Sequence, residues 1–282
     1  ILKKVVANAQ NYQGANGQKS RIQEAVITIP AYFNDKQRHA TEMAAKRAGI
    51  IARELLSEPT AAAISYGYKP DSEEVKTILV YDFGGGTFDS CLITAAGNQF
   101  IESGKAGDLW LGGDDLDTQL MQFVKEKVAQ EEALEDVDAL IAAMPHYQRV
   151  RFLGDFKSAV ERAKIDLSSA ESATIIPATP LIDEMGMAIA IAVTIKRSEF
   201  EEMIRPLVEK TIAICQVAIR YSDYPEDLID VVLLVGGSSQ IPFVQEEVKK
   251  VFGCERVVVH RRPMYAVAEG AAIVAAGLTE KV

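Results

Sequence analysis

Val80-Tyr81-Asp82-Phe83-Gly84-Gly85-Gly86-Thr87-Phe88-Asp89 decides how this chain is read. Thr77–Asp82 is a continuous apolar run closed by an acid, the pattern of a strand buried on both faces. Three glycines turn the chain, and Thr87–Thr94 returns as a second strand. The turn joins strand to strand, so it is not a P-loop, which leads into a helix and carries a lysine. Glycines let the backbone turn tightly and aim successive N–H groups at an anion. Thr87 adds a hydroxyl donor for a phosphate oxygen. Asp82, at the carboxyl end of its strand, is placed to hold Mg²⁺ through water, and ligands of α/β sheets sit at strand carboxyl ends. The glycines alone fit a plain hairpin with solvated acids equally well. The buried strand together with Asp82, Thr87 and Asp89 favours a phosphate site.

A second glycine turn lies about 150 residues on. Val231-Val232-Leu233-Leu234-Val235 runs into Gly236-Gly237-Ser238-Ser239 and then a helix. A helix N-terminus behind such a turn favours a phosphate or ribose, although a glycine pair also serves close packing. Between the two turns, Glu161, Lys164 and Ser168 fall at i, i+3 and i+7 and share one helix face. A carboxylate, a cation and a hydroxyl so arranged suit a ribose and base, and equally a solvated stripe. Two strand ends of this kind suggest a nucleotide lying across one lobe.

Outward from these turns, the chain alternates strand and helix. Ala25–Ile29 is a β-branched strand stopped by Pro30, and Asn34 with Gln37 forms a capping box for a helix that Gly49 ends. Ile50–Leu56 reads as a strand, and Pro59-Thr60 opens an Ala-rich helix to Tyr66-Gly67. This order implies a sheet covered by helices. Residues 69–76 read as a crossover linker, and Gly97–Lys105 as a strand. Residues 114–170 read as mostly helical, with one helix from Tyr147 to Lys164. Two strands are expected at Ser172–Ile176 and Met187–Ile195. A long helix follows with Phe200, Met203, Ile204, Leu207, Val208 and Ile212 on one face, then Gln240–Phe252 and Pro263–Ala276 as helices.

Composition narrows the function. The 282 residues carry 48% hydrophobic and 25% charged side chains, as a globular protein does. A net charge of −10 argues against a nucleic-acid or membrane-surface binder. Cys91, Cys215 and Cys254 form no CxxC, and His39, His146 and His260 form no HExxH, so neither a disulfide framework nor a zinc site is expected. The cysteine usage fits a reducing cytoplasm. No apolar run is long enough to span a bilayer.

Taken together, Ala25–Asp35, Glu58–Tyr66, Val80–Asp89 and Leu234–Pro242, with Gly112-Gly113-Asp114-Asp115 and Glu161–Ser168, resemble the nucleotide-binding domain of the DnaK-type, seventy-kilodalton heat-shock chaperones. The resemblance implies an α/β, actin-like ATPase (ribonuclease H-like) fold with two lobes. It implies partial lobe I at residues 1–71, lobe IIA at 72–111 and 206–264, lobe IIB at 112–205, and a C-terminal helix at 265–282 returning toward lobe I. It implies ATP/ADP and Mg²⁺ as ligands. Carried over by position, Gly84, Gly85, Gly86 and Thr87 contact phosphates, with Gly113 close by. Asp82 and Asp89 support Mg²⁺ through water, and Glu58, Asp82, Thr87 and Asp89 form the catalytic set. Glu161, Lys164 and Ser168 bind the adenosine, with Gly236, Gly237, Ser238 and Gln240 opposite. Pro30 and Arg38 match the pair implicated in relaying nucleotide state. The implied function is ATP hydrolysis that controls binding of unfolded client peptides by a further domain, with a nucleotide exchange factor at lobe II.

Departures from the family pattern add expectations. Its first phosphate hairpin and catalytic lysine would lie upstream of Ile1, so the first lobe is expected to be incomplete at its N-terminus and the chain alone impaired in turnover. Gln240 stands where the family usually carries an arginine stacked on adenine, which predicts weaker adenine discrimination. Arg262-Pro263-Met264-Tyr265 replaces an Asn-Pro-Asp-Glu stretch, and Trp110 a usual histidine. Glu54 replaces an arginine that binds J-domain partners and argues against that partner. A non-catalytic nucleotide-sensing module and another actin-fold phosphotransferase, such as a sugar kinase, remain alternatives.

Overall fold

The computed structural model describes residues 1–12, 22–67, 74–97 and 99–279. The chain opens with α1 (Leu2–Asn11), β1 (Glu24–Ile29), α2 (Asp35–Ala48), β2 (Ile51–Ser57) and α3 (Glu58–Gly67). As the sequence predicts, Asn34 accepts from Gln37 N, Gln37 returns the bond to Asn34 N, and Gly49 closes α2 in the left-handed region at φ 83°. β1 and β2 pair in parallel as a two-stranded sheet. Most of the linker expected at 69–76 falls outside the described residues.

The main sheet begins with β3 (Val75–Phe83), β4 (Phe88–Ala96) and β5 (Gln99–Asp108), which pair antiparallel in sequence order. Then come α4 (Gly113–Glu131), α5 (Val137–Ala143), α6 (His146–Asp166), β6 (Ser172–Ile175), β7 (Leu181–Ile182), β8 (Ala188–Ile189), β9 (Val193–Lys196) and α7 (Arg197–Tyr221). The chain closes with β10 (Val231–Val235), α8 (Pro242–Phe252), β11 (Val257–Val259) and α9 (Ala266–Thr279). The five-stranded sheet has the order β11-β10-β3-β4-β5, with β10 parallel to both β3 and β11. Every residue of β10 is buried, as expected of a central parallel strand covered on both faces.

Side-chain alternation divides the core. Leu79, Tyr81 and Phe83 face one side with residues of α4, α6 and α7, while Ile78 and Val80 face the other with Ala62 and Ala63 of α3 and Ala266 of α9. The first cluster runs without a break from the sheet through Phe152 and Phe156 of α6 to Ile195 of β9. The proposed division at 205/206 falls inside α7, beside Pro206.

Local details refine the sequence reading, and the helix expected from Pro263 begins at Ala266 after a 3-10 turn over Pro263–Tyr265. Met187–Ile195 splits into β8 and β9 because the segment changes partner: β9 pairs with β6, and β8 pairs with β7. Helix α5 falls inside the stretch that reads as mostly helical, and its bounds are set locally. Asp136 caps it by accepting from Ala139 N, and Val137, Leu140 and Ile141 are buried at helical spacing. The helix expected from Gln240 begins at Pro242, after a 3-10 turn over Ser238–Gln240.

Candidate functional site

The β3–β4 pairing sets Asp82 opposite Asp89 and Phe83 opposite Phe88. Four residues remain to turn the chain, and Gly84 N closes the turn on Thr87 O at 3.1 Å. Gly85 and Gly86 are exposed at its tip. The parallel β3–β10 register pairs Asp82 with Val235. Both strands therefore end at the same level, and the second glycine turn arrives beside the first. Gly236 has φ 85°, and a methyl group there would overlap the Phe83 carbonyl and lie 2.8 Å from Asp82 Oδ1. No other residue type fits that approach.

A third segment locks onto the pair. Gly113 N donates to Gly84 O at 3.0 Å, Asp114 N to Gly85 O at 2.7 Å, and Ser238 Oγ to Gly84 O at 3.0 Å. A methyl on Gly112 would come within 2.5 Å of the Gly85 carbonyl oxygen and the Gly86 backbone. The glycine turn is thus fixed by hydrogen bonds from two distant segments, backbone N–H groups of Gly113 and Asp114 and the Ser238 hydroxyl.

These segments enclose a cavity of about 610 Å³. Gly84 and Gly85 form its hairpin wall; Gly113, Asp114 and Asp117 come from α4. Glu161, Lys164 and Ile165 project from α6, and Ser168 lines the cavity from the turn just beyond that helix rather than from its face. Gly236, Gly237, Ser238, Gln240, Ile241 and Met264 complete the opposite side. Glu161, Lys164 and Ser168 therefore do converge with Gly236, Gly237, Ser238 and Gln240. Gly86 and Thr87 lie next to the cavity on the hairpin and do not line it.

Asp117, Ile241 and Met264 line the cavity in addition to the residues the motifs mark. Asp117 was legible: it lies one helical turn after Gly113, on the same face. It is buried and pairs with Lys164 Nζ at 2.8 Å, and Lys164 also donates to Gly113 O at 3.2 Å. Burial pushes the Asp117 carboxyl up from its ordinary value, against the downward pull of Lys164. The Gln240 amide makes a single long bond of 3.5 Å to Gly237 O.

Behind Gly236 lies an acidic cluster. Burial, then repulsion from Asp89 and Glu58, pushes Asp82 up to about 7. Burial and Asp89 push Glu58 to about 7 as well. Asp89 is raised by burial, partly offset by the Tyr32 hydroxyl, and its Oδ1 is buried with no hydrogen-bond partner. Carboxylates so destabilised as anions suit a divalent cation, whose charge relieves both burial and mutual repulsion. Among the described residues, no group of three or more His, Cys, Asp or Glu is arranged to bind a metal directly. Pro30 and Arg38 do not bond one another: Arg38 Nε donates to Phe33 O at 3.3 Å, and Phe33 N donates to Pro30 O at 3.2 Å.

Comparison with known proteins gives the lineage of this arrangement. The family model described as Hsp70 protein matches residues 1–282. The chain is 39% identical over 290 residues to the chaperone protein DnaK of Psychrobacter cryohalolentis, across 99% of this chain and 41% of that relative. It therefore spans about two fifths of the relative's length. No helix among the described residues is long and apolar enough to cross a membrane.

Proposed function

Since the chain belongs to the Hsp70 protein family, we propose that it is the nucleotide-binding part of a chaperone, which binds MgATP and MgADP and hydrolyses ATP to control client binding. The observation that carries this reading is the convergence of two glycine turns, distant in sequence, on one cavity with an acidic cluster behind it. In this reading the chain has two lobes of the actin-like type, divided as the resemblance implies, with lobe I at 1–71.

The residues take distinct tasks. Gly84, Gly85, Gly86 and Gly113 leave backbone room for phosphates, and Thr87 offers its hydroxyl to a phosphate oxygen. Glu161, Lys164 and Ser168 face Gly236, Gly237, Ser238 and Gln240 across the nucleoside. Asp82 and Asp89 would hold a Mg²⁺ ion through water and support the attacking water, with Glu58 contributing to the same catalytic network. When bound, Mg²⁺ supplies positive charge that neutralises phosphate oxygens. Hydrolysis of this kind rests on positioning and charge neutralisation more than on covalent chemistry by the protein. Client peptides and a nucleotide exchange factor at lobe II are proposed partners. Glu54 is exposed on β2, where its charge disfavours an acidic J-domain motif. A cytoplasmic setting is proposed with them.

Single-turnover phosphate release from MgATP tests the assignment. Thr87→Ala and Asp82→Asn are each expected to slow release by about 10²-fold, the usual cost of one transition-state contact. Parent rates in both variants would sink it. Transfer to an added sugar in place of water would move the chain to the phosphotransferases, and MgATP binding without turnover in the parent would mark a nucleotide sensor.

A further inference from the structure

His260 follows β11 and is 3% exposed. Its backbone N–H donates to Leu234 O of β10 at 3.0 Å. Nδ1 of its ring lies 3.1 Å from Arg262 N, and Nε2 lies 3.1 Å from Ser65 Oγ. A backbone N–H can only donate, so Nδ1 is the acceptor and carries no proton. The proton of the neutral ring then sits on Nε2 and is donated to Ser65 Oγ. The Ser65 hydroxyl in turn donates a hydrogen bond to Ala62 O at 2.9 Å. Both ring nitrogens are thereby engaged, and only one tautomer of the neutral ring satisfies them.

The ring joins two parts of the site. Ser65 belongs to α3, the helix that begins with Glu58. Arg262 opens the 3-10 turn Pro263–Tyr265. The Pro263 carbonyl accepts from Gly236 N at 3.1 Å, and Met264 lines the cavity and packs 3.9 Å from the position a methyl on Gly237 would take. The turn is held from its other side by the ion pair between Arg262 and Glu269 of α9.

Resting on the nucleotide reading above, we propose that His260 is a positioning residue for the cavity: its neutral ring pins the turn that carries Pro263 and Met264 to helix α3. A second ring proton on Nδ1 would set an N–H against the Arg262 N–H and release the turn, and with it the support of Gly236. Arg261 and Arg262 are the charged residues on the turn of the ring itself; on α9, Glu269 pairs with Arg262 through Oε1, while its Oε2 is buried with no hydrogen-bond partner. Strand β10 presents apolar side chains there. Helix α3 presents Ser65, and its Tyr66 packs into the apolar cluster with Ile78.

Two measurements test the proposal, each comparing the parent with His260→Asn between pH 8 and pH 5.5. The Asn Oδ1 still accepts from Arg262 N but does not titrate. Without nucleotide, amide exchange at Arg262 and Gly236, corrected for intrinsic rates, is expected to lose about ten-fold protection on acidification in the parent and little in the variant. MgADP affinity is expected to weaken about ten-fold more in the parent than in the variant over the same range; Glu58 and Asp82 titrate in both proteins and cancel. Identical pH profiles in parent and variant would overturn the proposal. Absent MgADP binding at every pH, with the exchange result as expected, would instead refute the nucleotide reading and leave the pinned turn standing. Should His260→Asn not fold, Ser65→Ala deprives Nε2–H of its acceptor. Protection at Arg262 then falls several-fold at pH 8, and unchanged protection overturns the proposal.

Discussion

Lys164 Nζ sits 2.8 Å from Asp117 Oδ1, and the two side chains are only 12% and 4% exposed. The cation that faces the cavity is thus already neutralised by a carboxylate of the neighbouring helix. That pair fixes the Lys164 side chain against Gly113, next to the glycine hairpin. Removing the Asp117 charge leaves a largely buried ammonium without its counter-ion, which is costly. Asp117→Asn is expected to lower unfolding free energy by about 3 kcal/mol in urea titrations. A change below ~0.5 kcal/mol would mean the pair contributes no more than an exposed one.

The acidic cluster makes ligand-free stability depend on pH with a definite sign. Asp82 and Glu58 are raised to about 7, whereas in the unfolded chain such groups titrate near ~4. Between these values the folded protein binds more protons than the unfolded one, so their contribution to stability falls as pH rises through that window. Asp82→Asn is expected to raise the ligand-free melting temperature at pH 8 and to flatten its decline from pH 5.5 to pH 8. A variant that melts below the parent at pH 8 contradicts this account.

The same cluster predicts how Mg²⁺ behaves. A cation binds the ionised carboxylates, so the extra MgADP affinity over metal-free ADP should grow as pH rises from about 6 to 8. Calorimetric titrations at both pH values measure it directly. A Mg²⁺ increment that does not vary with pH places the ion elsewhere.

Gly236 and Gly85 separate backbone necessity from composition. Gly236 is in the left-handed region and a methyl there would overlap the Phe83 carbonyl, whereas a methyl on Gly85 meets nothing within 4 Å. Gly236→Ala is expected to cost about 2–4 kcal/mol through strain and overlap, while Gly85→Ala leaves the urea midpoint almost unchanged. Equal costs for the two would show that the turns do not pack as described.

Ile165 and Met264 are 61% and 69% exposed and line the cavity from opposite sides, with Gln240 on the same side as Met264. An aliphatic chain, a thioether and an amide offer contact to a base but no cation to stack on it. The parent is therefore expected to favour ADP over GDP only weakly, and Gln240→Arg to raise that preference several-fold through a cation–π contact worth roughly 0.5–2 kcal/mol. The same ADP-to-GDP ratio in both proteins removes Gln240 from base selection.

Local chemistry was legible without a structure wherever one stretch of chain holds both cause and effect. Asn34 with Gln37, Gly49 after its helix, and the apolar run into Asp82 specify caps, stops and a buried strand through neighbours only a few residues away. The motif residues likewise marked most of the cavity wall, because backbone freedom at Gly84, Gly113 and Gly236 belongs to residue type. The β3–β10 register that sets Asp82 beside Val235 belongs to no single segment. Nor do the Asp117–Lys164 pair, the rise of Asp82 and Glu58 to about 7, or the ring of His260 caught between Ser65 and Arg262. Burial, desolvation and hydrogen-bond partnership depend on what the rest of the chain brings alongside, so sequence named Asp82, Glu58 and Lys164, while tertiary packing alone set the charge of the two carboxyls and brought Asp117 and His260 into company with the site.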